Sequence, residues 1–125
     1  MNSDLKDKKR RKLLFSFKYA IAGIRHGITH ERNLKIHTIC AILVVIFGFV
    51  FAIDRVEWMF VFFAIGGMFS LELINTAIER TVDYISPQYH LLAKQAKDVA
   101  AGAVLIYACL SVVVGCIIFL PKIFK

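Results

Sequence analysis

Four polar residues stand where an apolar helix is expected. The stretch FSLELINTAIERTVDYI, residues 69–85, places Glu72, Asn75, Glu79 and Asp83 at intervals of three, four and four. At about 100° per residue these fall on one stripe of a helix. With a rise of about 1.5 Å per residue, Glu79 lies ~10 Å along the helix from Glu72. The apolar run leading into the stripe begins at Trp58. Glu72 then sits about two-thirds of the way across a bilayer core of ~30 Å, and Glu79 near its far boundary. A carboxylate at that depth is costly unless it faces other protein or a water-filled cleft. The stripe alone admits an inter-helix hydrogen-bonding seam that joins subunits, the lining of a small oligomeric channel or proton conductor, or a chemical site.

Other charges favour the site. Glu31 opens one apolar run and Lys97 and Asp98 open another, in AKQAKDVAAGA, so three segments deliver charge to one membrane level. Glu31 and Glu79 are a carboxylate pair suited to Mg²⁺, a hard ion that takes oxygen ligands and shares them with substrate phosphates. Lys97 would offset phosphate charge. Glu72, deeper and drier, suits a general base that takes a proton from an alcohol buried among lipids. ATP is found in water and a lipid alcohol in the membrane, so a catalyst joining them must work at the inner interface. Neither GxxxxGK[ST] nor a Gly-rich kinase loop occurs, so a nucleotide would bind by another route.

These residues must be held by membrane helices. Of 125 residues 58% are apolar, and the mean hydropathy is +0.66. Uncharged runs at residues 36–53 and 100–120 are long enough to cross a bilayer, and residues 58–71 reach that length if the helix continues through Glu72. The runs have no polar face, which argues against a soluble bundle. Three transmembrane helices are expected over 33–53, 57–85 and 91–120, with Ser86–Pro87 ending the second and Pro121 the third. Ahead of them, residues 13–30 carry an apolar stripe at Leu14, Phe17, Ile21, Ile24 and Ile28 and read as an amphipathic surface helix. Gly23 and Gly27 weaken it but permit close packing. Residues 1–12 read as a basic, flexible start. The whole is a single domain, all-α and integral to the membrane.

The net charge of +7 is concentrated: ten Lys and Arg lie in residues 1–35. The positive-inside rule puts the N-terminus and the 80–98 segment in the cytoplasm and the C-terminus outside. Beside membrane spans, the basic start suits anionic lipid head groups and not nucleic acid. No cleavable signal peptide is expected. Cys40, Cys109 and Cys116 fall inside apolar runs and read as small fillers. His26, His30 and His37 bracket Glu31 but read as interfacial histidines, because magnesium avoids imidazole. Trp58 reads as an outer-interface anchor.

ELINTAIERTVDYISPQYHLLAKQAKDVAAGAVLI resembles the small integral-membrane lipid kinases of bacteria, the prokaryotic diacylglycerol kinase and undecaprenol kinase family. The matching positions are Glu72, Asn75, Thr76, Ala77, Ile78, Glu79 and Asp83, then Ser86, Tyr89, His90, Ala96, Lys97 and Asp98. Upstream, Tyr19, Gly23, Arg25, Glu31 and Lys35 also match. The resemblance covers about residues 12–120. It implies an ATP- and Mg²⁺-dependent kinase of the bacterial plasma membrane, working as a homotrimer with sites between neighbouring subunits. It implies Glu72 as the base and Glu31 and Glu79 as ligands of Mg²⁺ with ATP. Asn75, Lys97 and Asp98 would contact nucleotide or orient phosphate, with Tyr19, Tyr89 and His90 nearby. Lys12 stands where the diacylglycerol kinase type has arginine, so a point charge replaces a bidentate fork there. ERNLKIH, residues 31–37, is more similar to the Gram-positive branch, which implies undecaprenol as the lipid alcohol, with diacylglycerol as the alternative.

Overall fold

A computed structural model describes residues 2–125. Four helices follow one another: α1 (Asn2–His30), α2 (Arg32–Val50), α3 (Arg55–Ile85) and α4 (Leu91–Ile123). No strand occurs among the described residues. α2, α3 and α4 are each long and apolar enough to cross a membrane.

The helix boundaries have local causes. Asp54 caps α3: its carboxylate accepts from the backbone N–H of Val56 at 2.8 Å and of Glu57 at 2.9 Å. The Glu57 carboxylate accepts in return from Asp54 N–H at 2.9 Å, completing a reciprocal box. The α2–α3 connection turns through Ala52, whose φ of 49° is left-handed. This lets Ile53 N–H reach Gly48 O at 3.1 Å. Ser86, ahead of Pro87, leaves the helix at φ −130° and ψ 77°, as the proline requires.

Two boundaries differ from expectation. The basic start, expected to be flexible over 1–12, is helical from Asn2; Met1 lies outside the described residues. It contains neither Gly nor Pro, and Asp4 and Asp7 stand four residues before Lys8 and Arg11, spacings that support a helix charged all round. α4 passes through Pro121 to Ile123 instead of ending at Leu120. A proline this close to a terminus forfeits one backbone bond while few residues remain to be displaced.

α3 and α4 form the main pair, fastened at three heights. Where α3 begins and α4 ends, Lys122 Nζ meets Glu57 Oε2 at 3.1 Å. Beside this ion pair, Ile118 packs with Val61 and Ile53 under Trp58 and Phe119. At mid-membrane Tyr107 crosses α3 over Gly67 and donates its hydroxyl to Phe63 O at 2.6 Å. Where α3 ends and α4 begins, Lys97 Nζ meets Asp83 Oδ1 at 2.9 Å. α1 docks against α2 and α3 through Gly27, where a Cβ would meet Leu73 at 2.7 Å and Leu34 at 2.8 Å. Gly23, by contrast, has open space around it. An apolar groove with a cavity of about 130 Å³ runs between α2, α3 and α4, from His37 past Cys40, Met68 and Ser111 to Phe119.

Candidate active site

The stripe on α3 grades from dry to wet. Glu72 is 3% exposed and Asn75 6% exposed, whereas Glu79 is half-buried and Asp83 exposed. Asn75 Nδ2 donates to Glu79 Oε1 at 3.2 Å. That leaves Asn75 Oδ1 buried without a hydrogen-bond partner. A buried amide oxygen with nothing to accept from costs free energy. An oxygen left this way is a place for a cation or an incoming donor.

Glu31 is the residue between α1 and α2. It holds extended geometry, φ −93° and ψ 123°, at the N-cap of α2, but its side chain makes no cap hydrogen bond. Its carboxylate Oε1 instead accepts from Arg80 NH2 at 2.5 Å. Arg80 NH1 also lies 2.6 Å from His26 Nε2, and His26 stacks on His30 with ring centroids 4.2 Å apart. One arginine on α3 thereby ties the end of α1 and the start of α2 to the stripe.

His37 was grouped with His26 and His30 as an interfacial histidine, but the break at Glu31 separates it from them. It points inward, with Nε2 3.4 Å from Glu72 Oε1. Sequence reasoning missed both His37 and Arg80. For Arg80 a signal existed: it follows Glu79 directly and is the sole Lys or Arg between Arg55 and Lys94. An isolated cation at the end of a span calls for an anion.

The remaining positions fall into two groups. Tyr89, His90, Lys97 and Asp98 line one hollow of about 410 Å³ where α3 ends and α4 begins, together with Asp83 and Lys94. Within it Lys97 faces Asp83, and Asp98 faces Lys94 on its own helix at 2.5 Å. His90 also caps α4, its Nδ1 accepting from Leu92 N–H at 3.2 Å. Lys12 and Tyr19 lie exposed along α1, Tyr19 beside Phe15 with centroids 6.5 Å apart. The protomer does not bring them to the hollow by any described contact.

The donors fit magnesium. Glu79 would supply a carboxylate and Asn75 Oδ1 an uncommitted neutral oxygen, whereas Glu31 is engaged by Arg80 and no described contact brings it to Glu79. Among the described residues no cluster of three His, Cys, Asp or Glu side chains could hold a metal alone. Mg²⁺ does not need one, because it takes one or two carboxylates and completes its shell with phosphate oxygens and water.

A family model described as prokaryotic diacylglycerol kinase matches residues 18–119. An undecaprenol kinase of Bacillus subtilis is 52% identical over 108 residues, covering 86% of this chain and 88% of that protein. A diacylglycerol kinase of a Synechocystis species is 38% identical over 112 residues, covering 89% of this chain and 64% of that protein. A diacylglycerol kinase of Escherichia coli is 28% identical over 100 residues, 80% of this chain and 82% of that one.

Proposed function

Because the chain belongs to the prokaryotic diacylglycerol kinase family, and is therefore a membrane lipid kinase that uses ATP, we propose that it phosphorylates undecaprenol at the cytoplasmic face of the bacterial plasma membrane. The observation that carries this reading is the gradient along α3. A carboxylate sealed at membrane depth lies one turn from an orphaned buried oxygen and two turns from a half-buried carboxylate. The dry end suits the hydroxyl of a lipid and the wet end suits the phosphates of a nucleotide. Kinase membership also answers the channel reading of the stripe.

Each residue then has a task. Glu72 takes the proton of the lipid hydroxyl as its oxygen attacks the γ-phosphate. Glu79, Asn75 Oδ1 and Glu31 hold Mg²⁺, which would neutralise phosphate charge when bound. Arg80 fixes Glu31 against α3. Lys97 and Asp98, with Tyr89 and His90, receive the nucleotide in the hollow at the cytoplasmic end. Phosphoryl transfer proceeds mostly by positioning and charge neutralisation, so a small site suffices.

The protein acts as a homotrimer in this proposal. Among the described residues the buried apolar side chains are Leu34, Ile53, Val61, Met68 and Ile118, a sparse core for helices this long. Lys12 and Tyr19 reach a nucleotide site through a neighbouring subunit. The basic start favours a cytoplasmic N-terminus.

The preference for undecaprenol rests on the Bacillus relative and on the ERNLKIH segment; the Synechocystis and Escherichia relatives favour diacylglycerol. Purified protein given labelled ATP with each alcohol in equal mixed micelles decides. Undecaprenol should be labelled with the higher kcat/KM. Equal or preferential labelling of diacylglycerol would overturn the assignment.

A further inference from the structure

We propose that His37 is the proton relay for Glu72, carrying away after each turnover the proton that the base has taken from the lipid hydroxyl. This inference rests on the kinase reading above.

The need for a relay follows from burial. During transfer the lipid oxygen bonds to the γ-phosphorus. The bond from that phosphorus to the bridging oxygen breaks, ADP leaves with the electron pair, and the hydroxyl proton passes to Glu72. The site then holds a neutral carboxyl. No second alcohol can be deprotonated until that proton departs, and Glu72 is 3% exposed. Among the described residues, His37 is the one polar side chain in contact with its carboxylate.

The geometry of His37 suits the task. Its Nε2 lies 3.4 Å from Glu72 Oε1, a gap that a small rotation of either side chain closes to a hydrogen bond. The His37 side chain is 25% exposed, against 4% for that of Glu72. The imidazole thus touches the base and is less fully covered than it, at the end of the groove between α2, α3 and α4. In the tautomer protonated at Nδ1, Nε2 accepts the proton from the Glu72 carboxyl, restoring the carboxylate and forming imidazolium. The imidazolium releases a proton to water at the inner boundary.

The neighbours leave this pairing uncontested. On α3, Glu79 lies ~10 Å nearer the cytoplasm and is engaged by Asn75. On α2, Cys40 lines the apolar groove one turn deeper, and α4 contributes Ser111 to that groove. α1 meets this level at Gly27, while its His26 is engaged by Arg80.

The test separates chemistry from resetting. His37→Gln keeps a polar side chain but cannot shuttle a proton; His37→Ala leaves room for added imidazole. Both variants and the parent protein are followed with labelled ATP and lipid alcohol, from the first turnover to steady state. Both variants should make about one phosphorylated lipid per site at the parental rate. Steady state should then slow by about tenfold or more, and free imidazole should restore the alanine variant. Unchanged Mg-ATP binding shows that each variant is folded; if alanine loses it, the glutamine variant decides. A glutamine variant within twofold of the parent at steady state would overturn the proposal. So would a first turnover slowed as much as the later ones. A parent that phosphorylates no lipid alcohol would instead overturn the kinase reading itself.

Discussion

Replacing Glu72 by Gln should make the protein more stable and nearly inactive, and the size of both effects follows from where the side chain sits. At 3% exposure Glu72 has given up its hydration, and within contact distance it has gained His37. A charge at the centre of a membrane helix costs about 2.5–3.5 kcal/mol on insertion scales. Glu72 is off-centre and faces protein, so we take about 1–2 kcal/mol of that penalty as relieved by the neutral isostere. Gln has the same shape and can still hydrogen-bond His37, so no cavity offsets the gain. A base that cannot accept a proton loses the general-base contribution, about 10²–10⁴-fold in kcat. Mg-ATP binding, which the proposal assigns to Glu79 and the more exposed end of the stripe, should be unchanged. Thermal unfolding in detergent, nucleotide binding and lipid phosphorylation are measured on the same preparation. Turnover within tenfold of the parent would refute the role of base. A fall in the unfolding midpoint would refute the argument that an unrelieved charge is stored at that depth.

Three further outcomes follow from the contacts. Glu79→Gln should weaken Mg-ATP binding while sparing the fold, since Asn75 Nδ2 can still donate to the amide oxygen; titration with magnesium at fixed ATP should show the loss as a raised metal requirement. Arg80→Gln should lower stability by only about 0.5–1 kcal/mol, because its pair with Glu31 is half in water. Yet it should raise the KM for ATP by freeing the α1–α2 junction, so an unchanged KM would remove Arg80 from the site. Gly67→Val should cost about 1–3 kcal/mol as Tyr107 is driven off α3 and loses its bond to Phe63, which thermal unfolding in detergent would detect.

What was legible in the sequence was local. The α3 stripe depends on a helical repeat of three and four residues, and the spans on runs of apolar side chains, so the face shared by Glu72, Asn75, Glu79 and Asp83 follows from spacing alone. Partners were not local. Whether Glu31 caps α2 or reaches Arg80 is decided by the extended residue that lets α1 turn back onto α3, and that depends on Gly27 fitting beneath Leu73. His37 was misread for a related reason. Grouping it with His26 and His30 by nearness in sequence takes no account of the break at Glu31, beyond which His37 lies on α2 beside Glu72. Lys97 and Asp98, adjacent in sequence, line one hollow but have different partners. Successive positions point ~100° apart on a helix, and Lys97 in fact turns to α3 while Asp98 turns to Lys94.

The protomer places its two halves of chemistry unequally. On the proposed reading the lipid side is gathered within one chain: α2 brings His37 to Glu72, and the groove between α2, α3 and α4 opens beside them. The water-side machinery is not. The charges there are paired with each other, Lys97 with Asp83, Lys94 with Asp98 and Glu31 with Arg80. All three pairs are at least partly exposed, so exchanging a carboxylate partner for a phosphate costs little. A nucleotide arriving at this surface therefore competes with weak local ion pairs, while Asn75 Oδ1 waits with none. The asymmetry fits the supply of the two substrates. The lipid is confined to the membrane and needs a fixed slot, whereas ATP comes from bulk water and can assemble its own ligands as it binds.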